Sequence, residues 1–308
     1  MSREELDELV QLAEATKSSA AVRDLLRFLR KEKLRSPTLV IKHGYPLIQS
    51  RGGLDDELWT IHEQVLAAAL DVGDLDTADE CLSALKRKFP GSARVKRLEG
   101  MILESVGNYT GAAGFYTQIL TENPANIAVV KRQIASLLAQ DDTAAAVEAL
   151  NKFLTVHCGD ADGWRQLAAV HLSLSNFEEA AFCYEELVLL APADPHYHCR
   201  LAELYYTIGG SEGLLKARKH FSQSLELTKS NARALHGLCV TCAAVAADKG
   251  SAKVLKAEQS GEVNAALHKW ATAELARLYN KSTTELQTAA AVALAEQSEL
   301  VQAAVTSS

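Results

Sequence analysis

From residue 59 onward, apolar positions recur every three or four residues in short runs parted by polar turns, the spacing of amphipathic helices, and the runs themselves repeat. Alanines stand at 78, 112, 146 and 180, each 34 residues after the last, and positions 90, 124, 158 and 192 read Pro, Pro, Cys and Pro at the same interval. A period of this length marks a stack of supersecondary units. With Trp164 as position 4, units 59–92, 93–126, 127–160 and 161–194 align without gaps. A fifth, 195–231, takes three extra residues at Gly209-Gly210-Ser211-Glu212-Gly213, after which Ala217 and Phe221 recover the register, and a sixth first helix is predicted over 232–247.

Each unit reads as two helices around a turn containing Gly73-Asp74, Gly107-Asn108, Asp141-Asp142, Ser175-Asn176 or Gly209-Gly210. Small residues at position 8 (Gly100, Ala168, Ala202) and alanine at position 20 let the two helix backbones approach closely. Tyr116, Tyr184 and Phe221 at position 24 are expected to fill the wedge beside that contact. Proline at position 32 stops the second helix, because it has no N–H to donate and disfavours helical geometry in the residue before it. The stretch WRQLAAVHLSLSNFEEAAFCYEELVLLAP is the best-formed unit: Trp164, Leu167, Ala168, His171, Ala180, Tyr184 and Pro192 match the tetratricopeptide pattern with conservative departures. The fold class is therefore all-α, a superhelical tetratricopeptide solenoid of about five repeats with flanking helices.

The expected organisation is capping helices in 1–58, repeats in 59–231, and a sixth repeat-like helix, polar loop and capping helices in 232–308. Helices are predicted over 20–34, 38–49 and 262–280. Residues 248–261 read as a loop or frayed helix, and Ser282-Thr283-Thr284-Glu285 as the capping box of a last helix to about residue 303.

Charge narrows the function. Asp and Glu number 39 against 32 Lys and Arg, so the chain lacks the excess of cations that nucleic-acid phosphate demands. The opening MSREELDELV has no apolar stretch of the kind a secretory signal needs, and no run approaches the roughly 18 apolar residues of a membrane span. Six cysteines without a signal are expected to be reduced core thiols.

Candidate chemistry is sparse. Cys239-Val240-Thr241-Cys242 is a lone CxxC at packing positions of a first helix, with no second pair at zinc spacing. His196, His198 and Cys199 open a repeat helix without a matching fourth ligand. His62-Glu63 lacks the second histidine of a metalloprotease helix, and Gly209, Gly210 and Gly213 follow no strand and precede no Gly-Lys-Ser/Thr. Neither an enzyme nor a metal or other cofactor is expected. Two basic clusters, Arg27, Arg30, Lys31, Lys33 and Arg35, and Lys86, Arg87, Lys88, Arg94, Lys96 and Arg97, read either as solvated faces or as docking patches for an acidic partner.

In tetratricopeptide proteins positions 2, 5, 9 and 12 of the first helix line a concave groove. Position 5 runs Glu63, Arg97, Lys131, Arg165, Cys199; position 9 runs Ala67, Met101, Ala135, Ala169, Glu203; position 12 runs Leu70, Glu104, Leu138, Leu172, Tyr206. Arg97, Lys131 and Arg165 thus form a basic rail beside the small or apolar Met101, Ala135, Leu138, Ala169 and Leu172, with Tyr206 beyond, a surface suited to a segment bearing acidic groups. Co-chaperones that grip the C-terminal carboxylate of Hsp70 or Hsp90 pair the position-5 cation with Asn at position 9. That amide is missing here, which makes a soluble co-chaperone or adaptor for chaperone tails the alternative reading.

Six stretches go beyond what the repeat dictates: LDDELWTIHEQV from Leu54, AALD from Ala68, FPGSARVKRLEGM from Phe89, AAFCYEEL from Ala180, YTIGG from Tyr206 and RALHGL from Arg233. Over residues 40–280 the chain resembles the family of subunit 2 of the endoplasmic reticulum membrane protein complex. The resemblance implies a non-catalytic scaffold on the cytosolic side of the endoplasmic reticulum membrane, in a complex that inserts tail-anchored and multi-spanning proteins. It implies partners that are other subunits, namely cytosolic tails of membrane subunits and a soluble subunit, with a tail held along the groove. It further implies recruitment through those partners rather than a direct span, no nucleic acid, and no obligate homo-oligomer.

Overall fold

Short polar residues at two fixed places in the period start the helices. Ahead of the first helix of a unit, Asn126, Asp160, Asp194 and Asn231 accept from the backbone N–H of Val129, Gly163, His196 and Ala234 at 3.4, 2.7, 2.8 and 3.3 Å. Ahead of the second, Asp74, Asn108 and Asp142 do the same for Thr77, Gly111 and Ala145 at 3.1, 2.9 and 3.1 Å. Each cap satisfies a donor that the first helical turn leaves unpaired. Position 15 is left-handed in all five repeats, with φ of 82° at Gly73, 79° at Gly107, 57° at Asp141, 59° at Ser175 and 76° at Gly209; in the first four it precedes the cap of the second helix, and Gly209 is itself the cap of the helix that follows it. That one reversal folds each pair back on itself.

The computed structural model describes residues 2–50, 57–257 and 261–280, and all sixteen of its regular elements among those residues are α-helices. They are α1 (Ser2–Thr16), α2 (Ser19–Lys31), α3 (Pro37–Ser50), α4 (Glu57–Val72), α5 (Leu75–Lys88), α6 (Ala93–Ser105), α7 (Tyr109–Glu122) and α8 (Ile127–Ala139), then α9 (Thr143–Val156), α10 (Ala161–Ser173), α11 (Phe177–Leu190), α12 (Pro195–Ile208), α13 (Gly210–Leu227), α14 (Ala232–Ala247), α15 (Lys249–Ala257) and α16 (Gly261–Tyr279). Two compact units result, Met1–Ala146 and Val147–Ser308, divided inside α9. No helix among the described residues is long and apolar enough to cross a membrane.

In the first unit α1 packs on α2, α2 on α3, α3 on α4, α4 on α5 and α6 on α7. Leu25, Leu26, Leu29, Ile61, Val65, Leu66 and Leu85 lie in its main core, and Ala112, Tyr116, Ile119 and Val129 form a smaller one. In the second unit α10 packs on α11, α11 on α12, α12 on α13 and α13 on α14, around Leu201, Phe221, Leu225, Leu235 and Leu238. The position-20 alanines Ala78, Ala112, Ala146, Ala180 and Ala217 have no exposed surface. A Cβ on Gly100 would come within 2.6 Å of the Tyr116 ring, and one on Gly237 within 2.3 Å of Phe221, so these aromatics fill the wedge against bare helix backbone.

Four local features depart from the sequence reading or extend it. Residues 2–16, for which no helix was expected, form α1, whose Leu6, Leu9, Val10 and Ala13 join the first core. The three extra residues of the fifth unit do not widen its turn; they lengthen α13 to 18 residues against 14 in α11. Gly213 lies there because a Cβ would meet the Tyr205 carbonyl oxygen at 2.8 Å. Residues 249–257 are helical, and Asp248 starts them, accepting from Ser211 Oγ and the Ser251 N–H, each at 2.7 Å. Those bonds, Ser211 first, hold its carboxyl down to about 2. α16, rather than α15, lies along α14 as the second helix of the sixth pair. The helix expected to reach residue 303 lies outside the described residues.

Candidate partner-binding site

The first helices of the repeats set the candidate groove residues on their accessible side. In the first unit Arg97 and Met101 of α6, and Lys131, Ala135 and Leu138 of α8, are all partly exposed, while their neighbours Leu98, Gly100, Ile134 and Ser136 are buried. In the second unit Arg165 and Ala169 of α10 and Tyr206 of α12 are exposed and Leu172 is partly so, against buried Leu167, Ala168, Leu201 and Ala202. The exposed stripe and the core stripe are one residue apart, as a 3.6-residue period requires.

Two groove positions in the sequence register are not groove surface. Cys199 is buried in the second core. Glu104, although partly exposed as a residue, has a side chain only 8% exposed, paired with Arg132 of the following repeat. Burial pushes its carboxyl up, against the opposing pull of Arg132 and of Tyr116 beside it, and its Oε1 has no hydrogen-bond partner. Glu104, Tyr116 and Arg132 therefore form a polar joint between α6, α7 and α8. Its counterpart in the second unit is Glu203, which takes Arg233 through two guanidinium nitrogens and Arg200 at 2.6 Å.

Both basic clusters are largely neutralised by the chain itself. Lys86 reaches Glu99 at 2.5 Å, Arg94 reaches Glu63 at 2.6 Å and Lys96 reaches Glu122 at 3.1 Å. Arg87 donates to the Ser83 carbonyl at 3.3 Å, and Lys88 Nζ sits 5.7 Å over the Trp59 ring. Arg27 and Arg30 share Glu57 at 2.7 and 2.8 Å, and Arg35 reaches Asp71 at 2.6 Å, tying α2 and its following turn to α4. Exposed pairs of this kind contribute roughly 0–1 kcal/mol each, so they orient helices more than they stabilise them. On the groove stripe Arg165 pairs with Asp162 one turn back.

The other candidates are core or helix-start groups. Cys239 and Cys242 are fully buried free thiols, and burial pushes Cys242 up to about 12, which suppresses the thiolate that metal or redox chemistry uses. His198 donates from Nε2 to the Pro192 carbonyl at 3.0 Å and stacks on His220, their Nδ1 atoms 3.2 Å apart. His196 is exposed at the first turn of α12. His62 donates from Nδ1 to the Leu58 carbonyl at 2.8 Å beneath Trp59, and Glu63 is the partner of Arg94. Among the described residues no group of three or more His, Cys, Asp or Glu side chains is placed to hold a metal ion.

What the register did not single out is the outer face of α11. Phe182 is 52% exposed and Leu189 74% exposed there. Beside them a groove of about 340 Å³ runs between α9 and α11, with the Phe182 and Trp164 rings edge to face at 6.0 Å.

Known proteins agree with this architecture. The family model described as the EMC2 TPR-like repeat domain matches residues 78–227, from α5 through α13. The ER membrane protein complex subunit 2 of Xenopus tropicalis is 40% identical over 272 residues, which cover 87% of this chain and 90% of that protein. The protein of the same name from Dictyostelium discoideum is 35% identical over 209 residues, 67% of this chain and 65% of that one. Among solved structures, the C-terminal part of a TPR repeat-containing protein from Cytophaga hutchinsonii superposes with a TM-score of 0.51 over 92% of this chain and 97% of its own, at 12% identity, a likeness of fold alone. With a relative this similar along nearly the full length of both chains, the chain belongs to the family of ER membrane protein complex subunit 2.

Proposed function

We propose that the chain is a non-catalytic scaffold subunit of the ER membrane protein complex, held at the cytosolic face of the membrane through its partners. There it supports insertion of tail-anchored and multi-spanning proteins by fixing other subunits in place. The observation that carries this reading is the 40% identity to a complex subunit over 87% of the chain. The partners are other subunits, among them cytosolic tails of membrane subunits and a soluble subunit.

The exposed stripe on the first helices supplies the means. Arg97 and Lys131 with Met101, Ala135 and Leu138 in the first unit, and Arg165 with Ala169, Leu172 and Tyr206 in the second, set cations beside small or apolar side chains. Short side chains at 135 and 169 leave room for a partner's backbone, and the guanidinium and ammonium groups take its carboxylates. The neutralised cluster at Lys86, Arg94 and Lys96 has its own carboxylates and adds less.

Affinity purification of the tagged chain in mild detergent, read by mass spectrometry, tests this. Integral membrane subunits and a soluble subunit should co-purify stoichiometrically, and the triple variant Arg97→Glu, Lys131→Glu, Arg165→Glu should lose a membrane subunit while remaining folded. Recovery of Hsp70 or Hsp90 without integral membrane proteins overturns the scaffold reading. Unchanged recovery of every partner by the triple variant overturns the role of the stripe.

A further inference from the structure

The second helices of the repeats turn two register positions outward in every unit. Position 22 is Glu80, Gly114, Glu148 and Lys219 in four units and Phe182 in α11; position 29 is Arg87, Thr121, Thr155 and Glu226 in four and Leu189 in α11. All ten residues are exposed. Repeat packing therefore asks for nothing apolar at these places, and only α11 has it. Seven residues apart, Phe182 and Leu189 lie two helical turns from each other on one face. Leu190 and, at the end of α9, Val156 add exposed apolar surface, Val156 at 73%. Large apolar side chains held out to solvent on one helix face mark a contact surface.

The adjoining groove gives the patch depth. Leu154 and Thr155 of α9, Trp164 and His171 of α10, and Glu179 and Phe182 of α11 line it. Trp164 spends its N–H on the Cys158 carbonyl at 2.8 Å and so offers the groove only its ring. Nδ1 of His171 is buried without a hydrogen-bond partner.

Charge selects the occupant. α11 carries four carboxylates and no cation. Glu185 receives the Tyr205 hydroxyl, but Glu178, Glu179 and Glu186 join no ion pair among the described residues. On α9, Glu148 and Lys152 offset one another. We propose that this outer face of α9 and α11 is a second docking surface, separate from the first-helix stripe, and that it takes an amphipathic helix of a partner chain whose apolar side chains cover Phe182 and Leu189 and whose flanking Lys or Arg side chains meet Glu178, Glu179 and Glu186. It is a helix-in-groove mode, with affinity from the apolar anchors and orientation from the charges.

Two synthetic peptides test it, each about 18 residues long so that they are helical, sharing one leucine stripe and flanked by Lys in one and Glu in the other. Fluorescence anisotropy against the full chain should give saturable binding of the Lys peptide and at least about tenfold weaker binding of the Glu peptide. Phe182→Ser with Leu189→Ser should weaken the Lys peptide by about tenfold or more, and Glu178→Gln, Glu179→Gln, Glu186→Gln should weaken it severalfold and flatten its salt dependence. Leu189→Glu alone, at a position too exposed to disturb folding, should reproduce most of the loss, and Arg97→Glu, Lys131→Glu, Arg165→Glu should leave it intact. The idea fails if the Lys peptide does not saturate, if the Glu peptide binds equally, or if the serine variants bind as well as the parent. It also fails if Phe182 and Leu189 instead govern binding to phosphatidylserine vesicles or concentration-dependent dimerisation of the chain by itself.

Discussion

The second helices of the repeats share one pattern inside, and outside α11 of the second unit stands apart from α5 of the first. α5 buries Ala78 and Leu82, α7 buries Ala112 and Tyr116, and α13 in the other unit buries Ala217 and Phe221, all at the same two register positions. Outward, α5 shows Glu80, Arg87 and Lys88, whereas α11 shows Phe182, Leu189 and Leu190. One pattern thus fixes how helices pair and leaves the outward positions unconstrained by folding. Partner choice can then be written on those positions, in either unit, without altering the stack.

If that separation of interior and exterior holds, the wedge residues should matter equally in both units. Phe221→Ala and Tyr116→Ala should each cost about 3–5 kcal/mol, measured by urea denaturation of the full chain. A Tyr116 cost far below that of Phe221 would show that the polar joint with Glu104 and Arg132 has changed the first unit's interior. pH supplies a second comparison. Burial lowers the pKa of His62 in the first unit and of His220 and His268 in the second. Each binds a proton less readily folded than unfolded, so stability is full above about pH 6.5 and falls as pH drops below it. Urea midpoints at neutral and mildly acid pH should show the loss, and His62→Gln and His220→Gln should each flatten it; a flat profile in the parent chain would contradict the burial of these rings. The smallest effect belongs to the surface. Placing Phe and Leu at Glu80 and Arg87 should shift stability by no more than about 0.5 kcal/mol, and a larger loss would mean that α5 needs its charges to fold.

The repeat register was legible because it is written many times over. The alanines, the aromatic wedges, the Asx caps and the left-handed turn residues recur at one interval, and the all-α tetratricopeptide fold follows from them. α1 was hidden because six charged residues crowd the same short segment as Leu6, Leu9, Val10 and Ala13. α15 and the sixth pair were hidden because the period ends there, and only packing reveals that α16 takes the place beside α14. Glu104 looked like groove surface because its partner Arg132 lies in the next repeat, out of reach of a reading confined to one unit. The basic clusters looked bare for a related reason: the carboxylates that meet Lys86 and Arg94 lie in neighbouring repeats, 13 and 31 residues away, and the one that meets Lys96 lies 26 residues away on the other helix of its own repeat. The signal for α11 was present in the sequence, as large apolar residues at positions where the four other repeats have none, but it is read from departures rather than matches.

The lengthened α13 has a consequence for how such a chain changes size. Its extra residues enter as nearly one helical turn at the start of the helix, so Ala217 and Phe221 keep their bearing toward α12 and α14. A single inserted residue would swing that face by about 100° and take the aromatic out of its wedge. Length at this joint is thus quantised: it can grow or shrink by turns, and residues added in any other number have to be looped out of the helix.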